Sequence, residues 1–531
     1  MLVWIWCGCA LVALVLYFRN VYSYFSRRGV KSLPPIPIAG NMGNALLKTE
    51  HLGKILERMY NAFPGERFVG NYEFLKPVVV LRDLELIKQV GVKSFEKFPN
   101  HGNVASGNDE DFIVRSLIAL RDEEWKDMRG TLSPAFTSSK IRLMVPFMVE
   151  VGDQMMRSLQ DKIQKSESKY IDVDIKDLTS RYANDVIASC AFGCKVNSHE
   201  EENNEFYTRG QETVSLSFFK ILMTLVHKSI PVITNYLKIE LIAERPKIFF
   251  RDLVLGSMKD REANNIIRPD MIHLLMQAKK GRLTHDAKSE NDEDAGFATT
   301  EESTIGKNKV NREWSDFDLI AQAVLFFFAG FDTISTCMSF LLHELAINPD
   351  VQETLVREIR EYDEKNGGKF DYNSVQKMTY LDMVISEALR LWPPVLLTDR
   401  LCSSDFNLGK PNDTAREDFI VRKGANVYIP ILALHRDPQY FPDPDKFDPE
   451  RFSEQNKHNI KPYSYMPFGF GPRNCIGSRF ALSEVKVMVY QLLRSVELSP
   501  AAKTQIPAKH DPTTFSVRML GGHWVRFRSR T

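Results

Sequence analysis

The hydrophobic pattern of the chain begins with an unbroken apolar run and continues as a series of helical patterns. Residues 2–18 carry no charge, and their number is at the short end of what crosses a bilayer core. Basic residues follow this run, starting at Arg19. Because positively charged residues stay on the cytoplasmic side, the pattern predicts a membrane anchor over residues 1–26 and a cytosolic body. A cleaved signal peptide is the alternative, but the run lacks the basic start and the small-residue cleavage site of that class.

Residues 27–37 are basic and rich in proline. The sequence Leu-Pro-Pro-Ile-Pro at positions 33–37 favours a stiff, extended backbone. We therefore expect a hinge that holds the body, residues 38–531, at a fixed angle to the anchor.

Further helical patterns cover residues 170–196 and 205–224. Residues 221–242 are more apolar than one helix face requires, and Pro231 interrupts them. Core packing, a second membrane contact and a cover over a substrate channel are the alternatives for this segment. Residues 279–312 are rich in charged and polar side chains, and we expect them to form a mobile loop without a catalytic role.

A long helix is predicted over residues 314–346, and its centre has an unusual composition. The sequence Ala-Gly-Phe-Asp-Thr at positions 329–333 follows four apolar residues. Glycine weakens a helix interior, and the hydroxyl of Thr333 can donate to the carbonyl of Ala329 and loosen one turn. Such a turn makes room beside a bound ligand, whereas a buried helix with a satisfied threonine is the simpler alternative.

Two other segments combine helical spacing with charge. Trp125 and Arg129 are four residues apart, so that an indole N–H and a guanidinium share one helix face and can bind a carboxylate. An arginine stem that covers a half-buried tryptophan is the alternative. Glu387 and Arg390 are one turn apart and form a natural ion pair, although most such pairs are only solvated. A proline pair ends this second helix, and Arg400 follows it.

The most specific pattern is the sequence Phe-Gly-Phe-Gly-Pro-Arg-Asn-Cys-Ile-Gly at positions 468–477. Residues 478–493 have helical composition, so that Cys475 lies at a helix N-terminus, where free N–H groups and the helix dipole favour an anion. A thiolate there has a lowered pKa and binds soft or borderline metals. The glycines allow the close approach of a large flat group, and Arg473 offers a charge to an acidic substituent on it. A heme with its propionates fits these properties, with Cys475 as the thiolate ligand.

The composition excludes several other functions. The 531 residues carry a formal charge of +1, and no basic patch interleaved with aromatic residues indicates nucleic-acid binding. The seven cysteines form neither a dense framework nor a pair of CxxC motifs, which argues against disulfides and structural zinc. No flavin or nicotinamide fingerprint follows a predicted strand, so we expect electrons to come from a separate protein.

These motifs, in this order, resemble those of the cytochromes P-450, the heme-thiolate monooxygenases. The resemblance extends from about residue 33 to residue 528 and is strongest to the microsomal clan, which includes drug-oxidising and insect detoxification enzymes. It implies a mainly α fold with a small β region, preceded by one transmembrane helix. One position departs from the family pattern, because Ile334 stands where a second hydroxyl residue usually follows Thr333.

The resemblance also implies roles for individual residues. Cys475 is expected to be the axial ligand of heme b, and Asp332 with Thr333 to organise water and deliver protons. The side chains expected to bind the cofactor at its propionates are Trp125, Arg129, Arg400 and Arg473. Those expected to line the substrate side are Leu325, Phe328 and Ala329. A structural cluster is expected to consist of Glu387, Arg390 and Arg451.

The implied reaction inserts one oxygen atom from O2 into lipophilic small molecules, either xenobiotics or endogenous lipids. NADPH–cytochrome P-450 reductase is the implied electron donor, with a small cytochrome b as a further donor, and the implied location is the cytosolic face of the endoplasmic reticulum membrane. A heme-thiolate isomerase or dehydratase that needs no O2, and a heme-binding sensor without turnover, are the alternatives; the acid–alcohol pair argues against the first. The segments expected to set substrate specificity are residues 100–120, 218–226, 395–397 and 514–516.

Overall fold

The structure is a computed structural model that describes residues 2–102, 111–214, 242–281, 296–300, 305, 312–368 and 370–530. Several predictions concern residues outside these ranges. They include the alternatives for residues 221–241, the specificity segment 218–226 and most of the loop predicted over residues 279–312.

The described residues fold mainly into α-helices, joined by short 3₁₀ and π turns. The α-helices are α1 (Leu2–Tyr22), α2 (Gly43–Leu46), α3 (Leu52–Asn61), α4 (Leu84–Lys88), α5 (Asp122–Leu132), α6 (Ser138–Lys165), α7 (Ile175–Ile187), α8 (Glu205–Val214), α9 (Glu244–Asn264), α10 (Met271–Lys279), α11 (Asp316–Ile347), α12 (Pro349–Lys365), α13 (Tyr372–Gln376), α14 (Thr379–Leu391), α15 (Ile431–His435) and α16 (Ser478–Ser495).

Short strands of the described residues form three small sheets beside the helices. The strands are β1 (Phe68–Glu73), β2 (Lys76–Leu81), β3 (Tyr170–Asp174), β4 (Thr398–Leu401), β5 (Phe406–Asn407), β6 (Ile420–Val421), β7 (Asn426–Ile429), β8 (Val496–Pro500) and β9 (Trp524–Ser529). The sheet orders are β1-β2-β7-β4, β3-β9-β8 and β5-β6. The prediction of a mainly α fold with a small β region is confirmed.

The four-stranded sheet brings Arg400 into the body of the protein. Strands β1 and β2 are antiparallel, β2 and β7 are parallel, and β7 and β4 are antiparallel. In this register Arg400 of β4 lies opposite Val427 of β7. Its side chain is 1% exposed, so a cation that follows a proline pair in the sequence becomes an interior group.

Helix α11 runs through the core, within two residues of the predicted boundaries. Its N-terminus has a capping box, in which Ser315 Oγ accepts the N–H of Asp318 and the Asp318 carboxylate accepts the N–H of Ser315. A helix that is apolar on most faces is stable when it is buried on all sides. Gly330 permits its close contact with α7, because a Cβ there would lie 2.9 Å from Ile187 Cδ1.

Two helical stretches of the described residues are long and apolar enough to cross a membrane. They are residues Leu2–Arg28 and α11. The most apolar 18-residue window is 0% buried in Leu2–Arg28 and 67% buried in α11. Burial identifies α11 as a core helix. The N-terminal stretch is therefore the one that leaves an apolar surface outside the body.

The chain is attached to the four-stranded sheet directly after α1. Phe25 is 0% exposed, and its ring centroid lies 5.2 Å from that of Tyr72 and 6.1 Å from that of Phe419. Gly70 leaves room for this ring, since a Cβ there would lie 2.4 Å from its atoms. The hydroxyl of Tyr72 also donates to the carbonyl of Tyr22 at 2.8 Å. The segment before the proline-rich stretch is thus packed in the body.

Helix α16 carries a fully buried carboxyl group, Glu484. Within the described part of the chain, neither of its carboxyl oxygens has a hydrogen-bond partner. Burial raises the pKa of the Glu484 carboxyl well above its ordinary value, which favours the neutral acid.

Candidate active site

A large cavity lies between α11 and the loop that precedes α16. Its volume is about 1430 Å³, more than the roughly 300–1,000 Å³ of ordinary small-molecule pockets. It therefore has room for a large flat group and for a second molecule beside it. The predicted site residues that line it are Trp125, Arg129, Leu325, Phe328, Ala329, Asp332, Thr333, Arg473 and Cys475.

The loop that carries Cys475, residues 468–477, is held in a tight conformation, and we call it the cysteine loop. The N–H of Cys475 donates to the carbonyl of Phe468 at 2.8 Å. Gly469 and Gly471 have φ angles of 71° and 65°, in the left-handed region that favours glycine. A Cβ at Gly471 would also lie 2.3 Å from the carbonyl oxygen of Gly91. These glycines let the loop pack closely against the body while Cys475 faces the cavity.

The thiol of Cys475 is accessible from the cavity and otherwise surrounded by protein. Burial raises its pKa, and the N–H of Gly477 and the charge of Arg129 oppose that rise only in part. The expectation of a lowered pKa is therefore wrong for the protein alone, because desolvation outweighs the helix N-terminus. A coordinated metal cation reverses this balance, since it deprotonates a thiol ligand outright.

Among the described residues, no group of three His, Cys, Asp or Glu side chains is placed to hold a metal ion. Among these residues, Cys475 could therefore offer a metal only one protein ligand. A metal bound to it has to bring other ligands, as a metal inside a macrocycle does.

Two arginines, Arg129 of α5 and Arg473 of the loop itself, join the loop to α5. Arg129 donates to the carbonyl and to the side-chain oxygen of Asn474, both at 2.8 Å, and so holds the residue next to Cys475. The guanidinium of Arg473 lies 3.9 Å from the ring centroid of Trp125. It also donates to three carbonyl oxygens and to the side chain of Asn100. Arg473 therefore joins the loop to the body as well as facing the cavity.

Several positively charged side chains lie at the end of the cavity near Arg473. Burial, with repulsion from Arg400 and Arg129, lowers the pKa of Arg473 to about 8. Burial also lowers the pKa of Arg400 to about 10, and its buried Nε has no acceptor within the described ranges. The carboxylate of Asp399 attracts both Arg400 and Arg473, but it is shared with His101, whose Nδ1 lies 2.8 Å from Asp399 Oδ1.

This charge distribution fits an acidic ligand. Cations that lower one another's pKa are stabilised by added anionic groups, and guanidinium groups bind carboxylates through paired hydrogen bonds. The rest of the cavity wall is mainly apolar. A flat apolar macrocycle with acidic substituents at the arginine end fits both properties.

The α11 wall of the cavity carries an acid next to an alcohol. The hydroxyl of Thr333 donates to the carbonyl of Ala329 at 2.5 Å. The neighbouring Asp332 Oδ1 lies 3.1 Å from Lys176 Nζ and 3.1 Å from Arg518 Nη2. Two cations from distant parts of the chain therefore hold this carboxylate.

Lys176, at the start of α7, is the more deeply buried of these cations. Its side chain is 6% exposed, and its Nζ also lies 2.6 Å from Ser335 Oγ and 2.8 Å from Thr336 Oγ1. Burial lowers the pKa of Lys176 to about 7. Burial raises the pKa of Asp332, but the charges of Lys176 and Arg518 outweigh burial and lower it overall.

The predicted structural cluster forms away from the cavity. Both side chains of the Glu387–Arg390 pair are 0% exposed, with Arg390 Nε 2.6 Å from Glu387 Oε2. Arg451 Nε lies 3.4 Å from Glu387 Oε1, and the N–H of Asp448 donates to the same oxygen at 2.8 Å. Arg390 also donates to the carbonyl of His435 at 2.9 Å. The cluster thereby connects α14, α15 and the turn that contains Arg451.

The polar side chains at this site that the sequence interpretation missed include Lys176, His101, Asp399 and Arg518. Lys176 and Arg518 are 156 and 186 positions from Asp332, so no local pattern connects them with it. Asp399 directly precedes Arg400, which was predicted to bind the cofactor. An acidic residue next to that cation could have indicated from the sequence that Asp399 belongs to the site.

Comparisons with known proteins agree with this geometry. Residues 30–523 match the sequence model of a family described as Cytochrome P450. The chain is 42% identical to Cytochrome P450 9e2 of Blattella germanica over 99% of its own length and 98% of that protein. It is 39% identical to Cytochrome P450 9c1 of Drosophila melanogaster, over 98% of each chain. The chain therefore belongs to the cytochrome P450 family, whose members are heme-iron oxidoreductases of the monooxygenase type.

Proposed function

We propose that this protein is a membrane-anchored heme-thiolate monooxygenase that inserts one oxygen atom from O2 into lipophilic small molecules, with electrons from NADPH through a separate reductase. The observation that carries the proposal is one cavity that contains both a single loop cysteine and an acid–alcohol pair. The mainly apolar wall supports a lipophilic substrate. Xenobiotics and endogenous lipids both meet that description.

The residues of the cavity divide into two functions in this proposal. Cys475 would hold heme b through its thiolate, and the bound heme-thiolate would supply the chemistry that activates dioxygen. Arg129, Arg400 and Arg473 hold the propionates, with the indole of Trp125 beside them. The excess of positive charge at that end supports this orientation.

Asp332 and Thr333 control protons on the α11 side. The Thr333 hydroxyl, now bonded to the Ala329 carbonyl, can turn to donate to a water or ligand in the cavity. Asp332 supplies a carboxylate that orients that water by accepting a hydrogen bond from it. The ion pairs with Lys176 and Arg518 keep this carboxylate ionised and fix its position. Leu325, Phe328 and Ala329 form the substrate side of the same wall.

The experiment that tests the function is turnover of a panel of lipophilic compounds with purified reductase. Substrate loss should require NADPH, reductase and O2 together. Turnover without O2 would indicate an isomerase or dehydratase, and heme binding without any turnover would indicate a sensor. Addition of a small cytochrome b should raise the rate if it serves as a further donor.

Replacing Thr333 by alanine should uncouple electron use from product formation. The lost hydroxyl faces a cavity and contributes little to stability, so folding, heme content and substrate binding should be nearly unchanged. Proton delivery becomes less directed, and we expect the ratio of product formed to NADPH consumed to fall about threefold or more, with the difference released as hydrogen peroxide. The measurement is this ratio at constant reductase.

Two variants control the Thr333 experiment. Thr333→Ser keeps the hydroxyl and should keep most of the ratio. Ser339→Ala removes a buried hydroxyl of the same helix that donates to the carbonyl of Thr336, and it should leave the ratio unchanged. If Thr333→Ala also left the ratio unchanged, protons would arrive by another route, and the role given to Thr333 would be wrong.

Helix α1 is the proposed membrane anchor, with the body on the cytosolic face of the endoplasmic reticulum membrane. Its apolar surface is exposed over residues 2–17, and the first basic residues follow the apolar run. The basic, proline-rich residues 27–37 are the proposed hinge. Because Phe25 is buried in the body, the N-terminal end of the hinge is fixed to the body.

Two truncations test the anchor. Deletion of residues 2–22 should release the protein into the soluble fraction with its heme spectrum intact. Deletion of residues 2–26 also removes the buried ring of Phe25, so its free energy of unfolding should be lower by about 3–5 kcal/mol, as for loss of a core phenylalanine. If the shorter deletion stayed in the membrane pellet, α1 would not be the only membrane contact.

A further inference from the structure

A short segment, residues 296–300, lies against the cysteine loop; we call it the strap. At one end, the N–H of Phe297 donates to Asp382 Oδ2 at 2.8 Å. At the other end, Thr300 Oγ1 lies 3.5 Å from the carbonyl oxygen of Cys475 and 3.2 Å from Ser478 Oγ. The strap thus connects α14 with the residue that carries the thiol.

The surface beneath the strap is complementary to it in shape. The ring of Phe297 lies 5.1 Å from that of Phe452 and 5.7 Å from that of Tyr465, centroid to centroid. Gly296 has a φ of 130°, and a Cβ there would lie 1.7 Å from Asp382 Oδ1, so that glycine alone fits. Ala298 is 4% exposed. Successive residues of the strap therefore match the surface beneath them.

The strap is held weakly enough to be displaced. Phe297 is 38% exposed, and the bond from Thr300 to the carbonyl of Cys475 is at the long end of the hydrogen-bond range. Asp382, which accepts the N–H of Phe297, also lies 3.4 Å from Lys486 Nζ. It thus keeps a partner when the strap leaves.

The position of the strap affects how an electron donor can approach Cys475. Thr300 and Cys475 line one small pocket together with Arg129 and Arg479, so the strap covers part of the protein surface at the cysteine. Electrons enter a buried center most readily from a donor that contacts the surface close to it. A donor protein that docks at the cysteine meets the strap first.

We propose that the strap occupies part of the docking surface of the electron-donor protein, so that the donor displaces residues 296–300 when it binds. This inference rests on the proposed function, in which electrons come from a separate reductase. The partner is a flavoprotein reductase, and the strap lowers its affinity by competing for the same surface.

Phe297→Ala removes the aromatic contact that holds the strap. In the full-length protein, reconstituted in lipid vesicles with purified reductase, we expect the KM for reductase to fall roughly threefold to tenfold, the range that corresponds to loss of one aromatic contact. Turnover supported by hydrogen peroxide needs no donor protein and should be unchanged. The ferrous–CO spectrum should also be unchanged. Thr300→Val, which removes the hydroxyl contacts with Cys475 and Ser478, should act in the same direction.

Ile267→Ala is the matched control, because it shortens an apolar side chain that is 82% exposed and lies outside the strap and the cavity. Its KM for reductase should equal that of the wild type. An unchanged or raised KM in both strap variants would overturn the inference, as would equal changes in reductase-supported and peroxide-supported turnover. Peroxide-supported turnover without any reductase-supported turnover in the wild type would refute the proposed electron source, and the inference with it.

Discussion

Cys475→His will move the ferrous–CO absorption band from the long-wavelength position of a thiolate-ligated heme to the position of an imidazole-ligated heme. The reason is that Cys475 is the cavity thiol presented by the cysteine loop, at the start of α16, and that thiolate ligation determines the position of this band. Cys475→Ser should abolish the long-wavelength band altogether. Both variants should lose essentially all monooxygenase turnover. The measurement is the reduced CO-difference spectrum of the purified proteins.

Cys337 provides the control for this experiment. It is another thiol on the cavity wall, but burial raises its pKa to about 12, so it stays protonated at neutral pH. Cys337→Ala should therefore keep the long-wavelength band. A Cys475→Ser protein that retained that band would show that another cysteine is the ligand, and the proposed site would be wrong.

Glu387→Ala should prevent accumulation of stable holoprotein. The substitution leaves Arg390 buried without its carboxylate partner and removes the acceptor of the Asp448 N–H. Breaking a buried ion pair in this way costs about 3–5 kcal/mol, a large part of the about 5–15 kcal/mol that stabilises a typical domain. We expect a strongly reduced yield and, for any folded fraction, a lower midpoint of urea unfolding.

An exposed pair with the same spacing is the control. Glu454 and Lys457 are also three residues apart, and Lys457 Nζ lies 2.6 Å from Glu454 Oε1, but the side chains are 72% and 41% exposed. Glu454→Ala should change the free energy of unfolding by less than about 1 kcal/mol. Equal effects of the two substitutions would mean that burial does not strengthen the Glu387–Arg390 pair.

Local sequence patterns were sufficient to predict the loop and the helices that form the site. The glycines and the helix start around Cys475 are adjacent in sequence, and α11 could be placed from its apolar composition within two residues of its observed ends. The Glu387–Arg390 pair follows from helix spacing, but its complete burial does not, because burial depends on packing against α15 and the turn at Arg451.

Long-range contacts account for what the sequence could not predict. Lys176 and Arg518 reach Asp332 only because α7 packs against α11 and the C-terminal segment returns to the cavity. The pKa of Cys475 was predicted in the wrong direction because desolvation by the whole fold exceeds the local effect of the helix N-terminus. From sequence, Arg473 was predicted only to bind the cofactor. Its hydrogen bonds to the carbonyls of Pro99 and Leu120 could not be predicted, because they form only in the folded protein.

The buried Glu484 of α16 makes stability depend on pH through proton linkage. Its pKa is raised in the folded state, so between the unfolded and folded pKa values the native protein binds a proton that the unfolded chain has released. Stability therefore falls as pH rises through this window, by up to about 1.4 kcal/mol per pH unit for one proton. Glu484→Gln cannot ionise and should lack this decline. A rise in pH thus acts on the fold of this protein through the helix that follows its cysteine loop.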